Sequence, residues 1–172
     1  MSDTGDRGAR EERVRQWMND YGSDILRICF AYLSDSGLAE DAMQETFLKA
    51  WKGMDKFERR NGSSVKTWLV RIAINVCRDH RRSNWFRRVD LSREMDVSAL
   101  KQEDMHPEKR EMLMDILKLP DKYKSVILLY FYEQMSQQEV AEVLGISRSL
   151  VNYRLHKALD MLKIAWGEEE LR

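Results

Sequence analysis

The sequence predicts an all-α fold of two small helical domains joined by a flexible linker, the second containing a helix-turn-helix. Three observations carry this. Apolar residues recur at steps of three and four through most of the 172 residues, the spacing of a helix face and not of a strand. Proline stands only at Pro107 and Pro120, and glycine falls mostly at turn-like places, so little interrupts helix. Between about Arg87 and His106 the periodicity lapses into mixed charge, which reads as a linker. The expected domains are residues 11–86 and 107–166, with residues 87–106 between them.

The first ten residues are small, polar and charged, and are expected to fray. Val14, Trp17, Met18, Tyr21, Ile25, Ile28, Cys29, Tyr32 and Leu33 then mark a helical face, with a possible break into two helices at Gly22-Ser23. Ser34 to Gly37 is a turn. A helix from Leu38 to Lys52 places Leu38, Ala42, Phe47, Ala50 and Trp51 on an apolar side, while Asp41, Gln44, Glu45 and Leu48 line a separate stripe. Glu58 to Ser64 is a loop by composition, and a long helix from Val65 to about Arg82 turns Trp68, Leu69, Ile72, Ala73 and Val76 inward. After the linker, Pro107 suits the first turn of a helix carrying Met112, Leu113, Ile116 and Leu117. Leu119-Pro120 ends it, and Tyr123, Val126, Ile127, Leu129, Tyr130 and Phe131 are expected to pack the next.

Ser136 to Leu159 reads as two short helices around a tight turn. Ser136 with Glu139 three residues on can form a capping box. Gly145 supplies a left-handed residue at the end of that helix, and Ser147 is placed to cap the next. In a helix-turn-helix the second helix enters the major groove. With Leu150, Val151, Leu155 and Leu159 facing inward, Arg148, Ser149, Asn152, Tyr153, His156 and Lys157 face out as candidate readers. An ordinary helical hairpin in a bundle is the alternative.

The formal net charge of zero hides a strong segregation. Arg71, Arg78, Arg81, Arg82, Arg87 and Arg88 face only Asp79, whereas Asp90, Glu94, Asp96, Glu103 and Asp104 outnumber Arg93 and Lys101. Cys29 and Cys77 sit in apolar helical patterns, as reduced core residues would. His80, His106 and His156 lack ligand spacing, so no metal, no cofactor and no enzymatic centre is expected. No run is long and apolar enough for a membrane span, and a cytoplasmic protein is expected.

Four segments in order resemble the extracytoplasmic-function sigma factors, the smallest members of the main bacterial sigma family. Ala39-Glu-Asp-Ala-Met-Gln-Glu-Thr-Phe-Leu-Lys-Ala-Trp51 is similar to the family's second conserved region. Phe57 followed by Lys66-Thr-Trp-Leu-Val-Arg-Ile-Ala-Ile-Asn-Val-Cys-Arg-Asp-His-Arg-Arg82 resembles its promoter-melting and minus-ten segments. Leu119-Pro-Asp-Lys-Tyr123 and the helix-turn-helix resemble its fourth region.

The resemblance implies a factor that binds bacterial core RNA polymerase, recognises the minus-thirty-five and minus-ten elements of promoter DNA, and promotes strand opening. It also implies an anti-sigma partner that masks one or both domains. Asp41, Gln44 and Glu45, with Leu48, would dock on the coiled coil of the largest subunit's clamp; a solvated helix face is the other reading. The loop residues Arg59, Arg60, Asn61, Ser63 and Ser64 would close around an extruded base. Asn75, Arg78, Arg81 and Arg82 would meet the minus-ten DNA, with Asp79 either on that face or paired with Arg78 or Arg82. Arg148, Ser149, Asn152, Tyr153, Arg154, His156 and Lys157 would meet the minus-thirty-five element. Here relatives usually carry Gly-Thr-Val-Lys-Ser-Arg-Leu where this chain has Ser149-Leu-Val-Asn-Tyr-Arg-Leu155, which makes its promoter preference its own.

Trp51, Phe57 and Trp68 read as core aromatics, while Trp85 and Phe86 stay unassigned between capping the first domain, packing on polymerase and being covered by an inhibitor. The acidic linker fits an RNA path or a solvated spacer. Two rival classes remain. A conventional repressor or activator would need a dimerisation helix that the sequence does not offer, and a nuclease would need clustered acids or histidines.

Overall fold

The structure, a computed structural model, describes residues 3–59, 64–83 and 107–166. Among these residues the chain is helical between short connections and forms no strand. It divides into two compact units, Met1–Leu100 and Lys101–Arg172.

In the first unit α1 (Asp3–Leu33), α2 (Ser36–Arg59) and α3 (Val65–Ser83) all pack against one another. Ile25, Ile28, Cys29 and Phe30 of α1 meet Ala42, Phe47 and Met54 of α2 and Leu69, Ala73, Ile74 and Cys77 of α3 in a closed core. Both cysteines are free and buried. A hydrogen bond with Cys77 and burial push the Cys29 thiol far above its ordinary value, so it stays protonated. Side-chain caps set where α2 and α3 begin. Leu38 N donates to Asp35 Oδ1 at 2.9 Å, and Thr67 N donates to Ser64 Oγ at 3.1 Å.

The sequence expectations are corrected in three elements. Gly22-Ser23 does not break the first helix, and Asp3 to Arg10 are helical. One interior glycine costs about 1 kcal/mol, too little to interrupt a helix whose flanking turns bury Trp17, Ile25 and Ile28. Arg10 anchors the leading turns: its Nη1 donates to both oxygens of Asp55 at 2.9 Å and its Nη2 to the Trp51 carbonyl at 2.9 Å. Secondly, α2 runs past Lys52 to Arg59, into the segment read as loop. Met54 is buried, and Phe57 stacks on Trp68 with ring centroids 4.5 Å apart, so these turns have packing of their own. Trp17 completes that cluster edge-on, 5.8 Å from Trp68.

The second unit holds α4 (Pro107–Leu117), α5 (Asp121–Ile127), a π-helical turn (Leu128–Tyr132), α6 (Gln137–Leu144) and α7 (Arg148–Trp166). The π turn accounts for the third correction. Glu133 N reaches back five residues to Leu128 O at 3.0 Å, which widens the helix and rotates its face. Leu128 and Leu129 go inside, and Phe131, expected in the core, stands 46% exposed. Leu113, Ile116, Val126, Ile127, Val140, Leu144, Val151, Leu155, Ala158 and Leu162 complete the core.

Candidate functional site

Three surfaces carry the residues singled out in the sequence. The first is the outer face of α2. Asp41 and Gln44 are exposed, and Leu48 is 51% exposed although it is a large aliphatic residue. Glu45 is half-buried beside them, because it reaches across to α3. Its Oε2 lies 2.9 Å from His80 Nε2, and its Oε1 lies 3.2 Å from Lys49 Nζ on the next turn of α2. The His80 bond, set against the desolvation that burial brings and joined by Lys49, holds the Glu45 carboxyl below the usual carboxylate range.

That depressed value makes a pH prediction. The unfolded chain binds the Glu45 proton more tightly than the folded one. The carboxylate's contribution to stability is therefore complete above about pH 4.3 and is lost as the pH falls through the lower folded value. Glu45→Gln should flatten the decline of first-unit stability as the pH falls below about 4.3, read by denaturant unfolding at stepped pH. An unaltered slope would show that the pair is not carried in solution.

The second surface is the outer side of α3. Asn75, Asp79 and Arg82 are exposed, and Arg78 and Arg81 are half-buried. His80, Arg81 and Arg82 fall in the last turn, where positive charge suits the helix dipole. Asp79 accepts a hydrogen bond at its backbone carbonyl from Ser83 Oγ at 3.0 Å. Ser64, read as part of the base-capturing loop, is exposed and also caps α3: its hydroxyl accepts from Thr67 N and donates to Thr67 Oγ1. Arg60, Asn61 and Ser63 lie outside the described residues, as do the Arg59 side chain, Trp85, Phe86 and the acidic linker.

The third surface is the solvent side of α7. Ser136 and Glu139 form the full capping box: Glu139 N donates to Ser136 Oγ at 3.1 Å, and Ser136 N to Glu139 Oε2 at 2.8 Å. Gly145 adopts φ 65°, ψ 37°, and Ile146 N closes the turn onto Ala141 O at 3.1 Å. Ser147 Oγ then accepts from Leu150 N at 3.1 Å and starts α7. With Val151, Leu155 and Ala158 turned inward, Arg148, Ser149, Asn152, Tyr153, His156 and Lys157 are exposed, and Arg154 is half-buried. Lys157 Nζ lies 5.8 Å from the centre of the Tyr153 ring. His156 Nδ1 is 2.9 Å from the Asn152 carbonyl. A carbonyl only accepts, so Nδ1 carries the hydrogen and Nε2 of the neutral ring is an acceptor.

Residues 17–87 match the Sigma-70 region 2 family, and residues 110–162 match Sigma-70, region 4. The RNA polymerase sigma factor YlaC of Bacillus subtilis is 34% identical over 166 residues, covering 88% of this chain and 91% of that relative. The ECF RNA polymerase sigma factor SigW of the same bacterium is 30% identical over 160 residues, covering 83% of each chain. The chain belongs to the extracytoplasmic-function sigma factors. Among solved structures, the sigma factor RpoE in complex with the anti-sigma factor NepR from Bartonella quintana has a TM-score of 0.75 at 20% identity, covering 90% of this chain and 98% of that one. That likeness establishes the helical fold.

A sigma factor works with RNA polymerase at promoters, and the two matched regions fall one in each compact unit. Among the described residues no group of three or more His, Cys, Asp or Glu is gathered to hold a metal, and no helix is long and apolar enough to cross a membrane. The sequence reading of this sigma factor missed His80 as a partner of Glu45. The two lie 35 positions apart, and no local spacing announces the contact. Lys49 could have been found, since it sits four residues after Glu45 on the same helix.

Proposed function

We propose that this sigma factor docks on core RNA polymerase through Asp41, Gln44, Glu45 and Leu48, engages the minus-ten element through α3 and the segment before it, and reads the minus-thirty-five element through α7. The observation that carries this reading is the outer face of α2. Leu48 is held out in solvent beside two acids and an amide, although the same helix buries Phe47, Ala50 and Met54. A basic partner helix can pair with the carboxylates and cover the leucine, so the face is more use to a partner than to the fold.

Strand opening follows from differential affinity. Nothing in the reading requires hydrolysis: the holoenzyme binds the unstacked strand better than the duplex, and that difference shifts the equilibrium. Arg78, Arg81 and Arg82 hold phosphates, Asn75 faces the bases, and Arg59, Arg60, Asn61 and Ser63 hold the captured base. On α7, Asn152 and Tyr153 stand beside Arg148, Ser149, Arg154, His156 and Lys157 at reading positions, with each well-formed base pairing contributing about 1 to 3 kcal/mol of discrimination. The acidic linker fits the RNA path, and the protein acts in the cytoplasm without chemistry of its own. An anti-sigma partner is proposed too, because RpoE of Bartonella quintana, similar in fold, was solved with one.

The experiment is reconstituted transcription with bacterial core polymerase on a pool of promoter fragments, with and without this chain. Transcripts that depend on the chain and start at fixed sites support the reading; identical transcripts in both arms contradict it. Arg78→Ala with Arg82→Ala should weaken promoter opening and lower the slope of log affinity against log salt by about 1.4 to 1.8, for two lost phosphate contacts. Opening that is unchanged across the salt series would refute that role.

A further inference from the structure

We propose that His80 is a positioning residue for polymerase docking: it holds Glu45 in its docking conformation from the neighbouring helix. The inference rests on the reading of α2 as the polymerase contact and goes beyond it, since His80 lies on α3 and outside the docking stripe.

Glu45 is the member of the stripe whose side chain is fixed by two separate donors. His80 Nε2 holds Oε2 at 2.9 Å from α3, and Lys49 Nζ holds Oε1 at 3.2 Å from α2. The His80 side chain is 20% exposed and that of Glu45 38%, so the bond sits where the two helices meet and not at a loose tip. Asp41 and Gln44 beside it are exposed.

Fixing Glu45 matters for binding in two ways. A glutamate side chain gives up considerable rotamer freedom when it is held by a partner. If that freedom is already lost in the unbound protein, docking loses less of it. A carboxylate also has about four lone-pair sites. His80 and Lys49 take one on each oxygen, which leaves acceptor capacity for a basic side chain of the partner. The pair therefore orients the carboxylate without occupying it. Among the described residues, His80 and Lys49 are the groups that pair with Glu45, one from each of the packed helices α3 and α2.

The test is a double-mutant cycle on core polymerase affinity, measured without DNA so that the promoter surface of α3 does not contribute. The variants are His80→Ala, Glu45→Ala, the pair together, His80→Gln and Asp41→Ala. Gln carries an N–H the same number of bonds from Cα as His80 Nε2 and can donate to Glu45. The expected results are a roughly five-fold loss for His80→Ala, no further loss when it is added to Glu45→Ala, and return to within about two-fold of wild type for His80→Gln. A role confined to folding would still weaken binding in the Glu45→Ala background and would not discriminate Gln in this way. Independent losses for His80→Ala and Glu45→Ala, or full affinity in His80→Ala, would overturn the proposal. Full affinity in both Asp41→Ala and Glu45→Ala marks the separate failure of the α2 docking reading, and takes the His80 role with it.

Discussion

A variant carrying Asp41→Ala, Gln44→Ala and Glu45→Ala should bind core RNA polymerase about 100-fold more weakly than the parent, which corresponds to about 2.7 kcal/mol. The magnitude follows from how interfaces work. A few central groups carry most of the binding, and a charge-assisted bond lost from such a group costs about 1.5 to 3 kcal/mol. The same changes should leave the first unit folded. Asp41 and Gln44 are exposed, and substitutions at such positions usually stay within about 0.5 kcal/mol. Glu45 is the exception, because its loss releases His80 and Lys49. Equilibrium titration of labelled protein with core enzyme, paired with thermal melting followed by circular dichroism, separates the two effects. Weak binding with preserved melting is the expected result. Wild-type affinity would leave the α2 face without a role.

Leu155→Ala should unfold much of the second unit at growth temperature. Leu155 is 3% exposed on the inner side of α7, and α7 packs against α5 and α6. Deleting a buried leucine side chain costs about 2 to 5 kcal/mol. A helical unit of this size holds only about 3 to 9 kcal/mol in total. Tyr153→Ala, two residues earlier, makes the control: Tyr153 is 55% exposed, and its loss should alter melting little while still affecting promoter preference. Melting should show the second unit destabilised in Leu155→Ala and not in Tyr153→Ala. Equal melting of Leu155→Ala and wild type would contradict the packing described.

The parts of the fold that were legible in the sequence are those written in local spacing. The capping box of Ser136 and Glu139, the left-handed Gly145 and the Ser147 cap each depend on residues within four positions, and all form as expected. The inward faces of α3 and α7 follow the helical repeat for the same reason. What the sequence hid depends on distant partners. Gly22 reads as a break until the core around Trp17 and Ile25 is seen holding the helix together. Arg10 looks like part of a frayed end until it meets Asp55, 45 positions away.

The candidate site divides along the same line. Exposure of Asp41, Gln44 and Leu48 follows from helix phase, whereas the Glu45–His80 bond needs the packing of α2 on α3. Ser64 carries a local signal that went unread: a serine three residues before Thr67 is a cap signal, and its hydroxyl does cap α3. The π turn at Leu128 had no readable signature, so Phe131 was assigned to the core although it is exposed.

The most direct measurement is permanganate reactivity of thymines in a promoter that this chain selects with core polymerase, taken without nucleotide. Thymines around the minus-ten element should become reactive only when both chain and core enzyme are present, and Arg78→Ala with Arg82→Ala should reduce that signal. Binding of the chain to duplex DNA with no polymerase association, or a ternary complex whose thymines stay unreactive, would contradict the account.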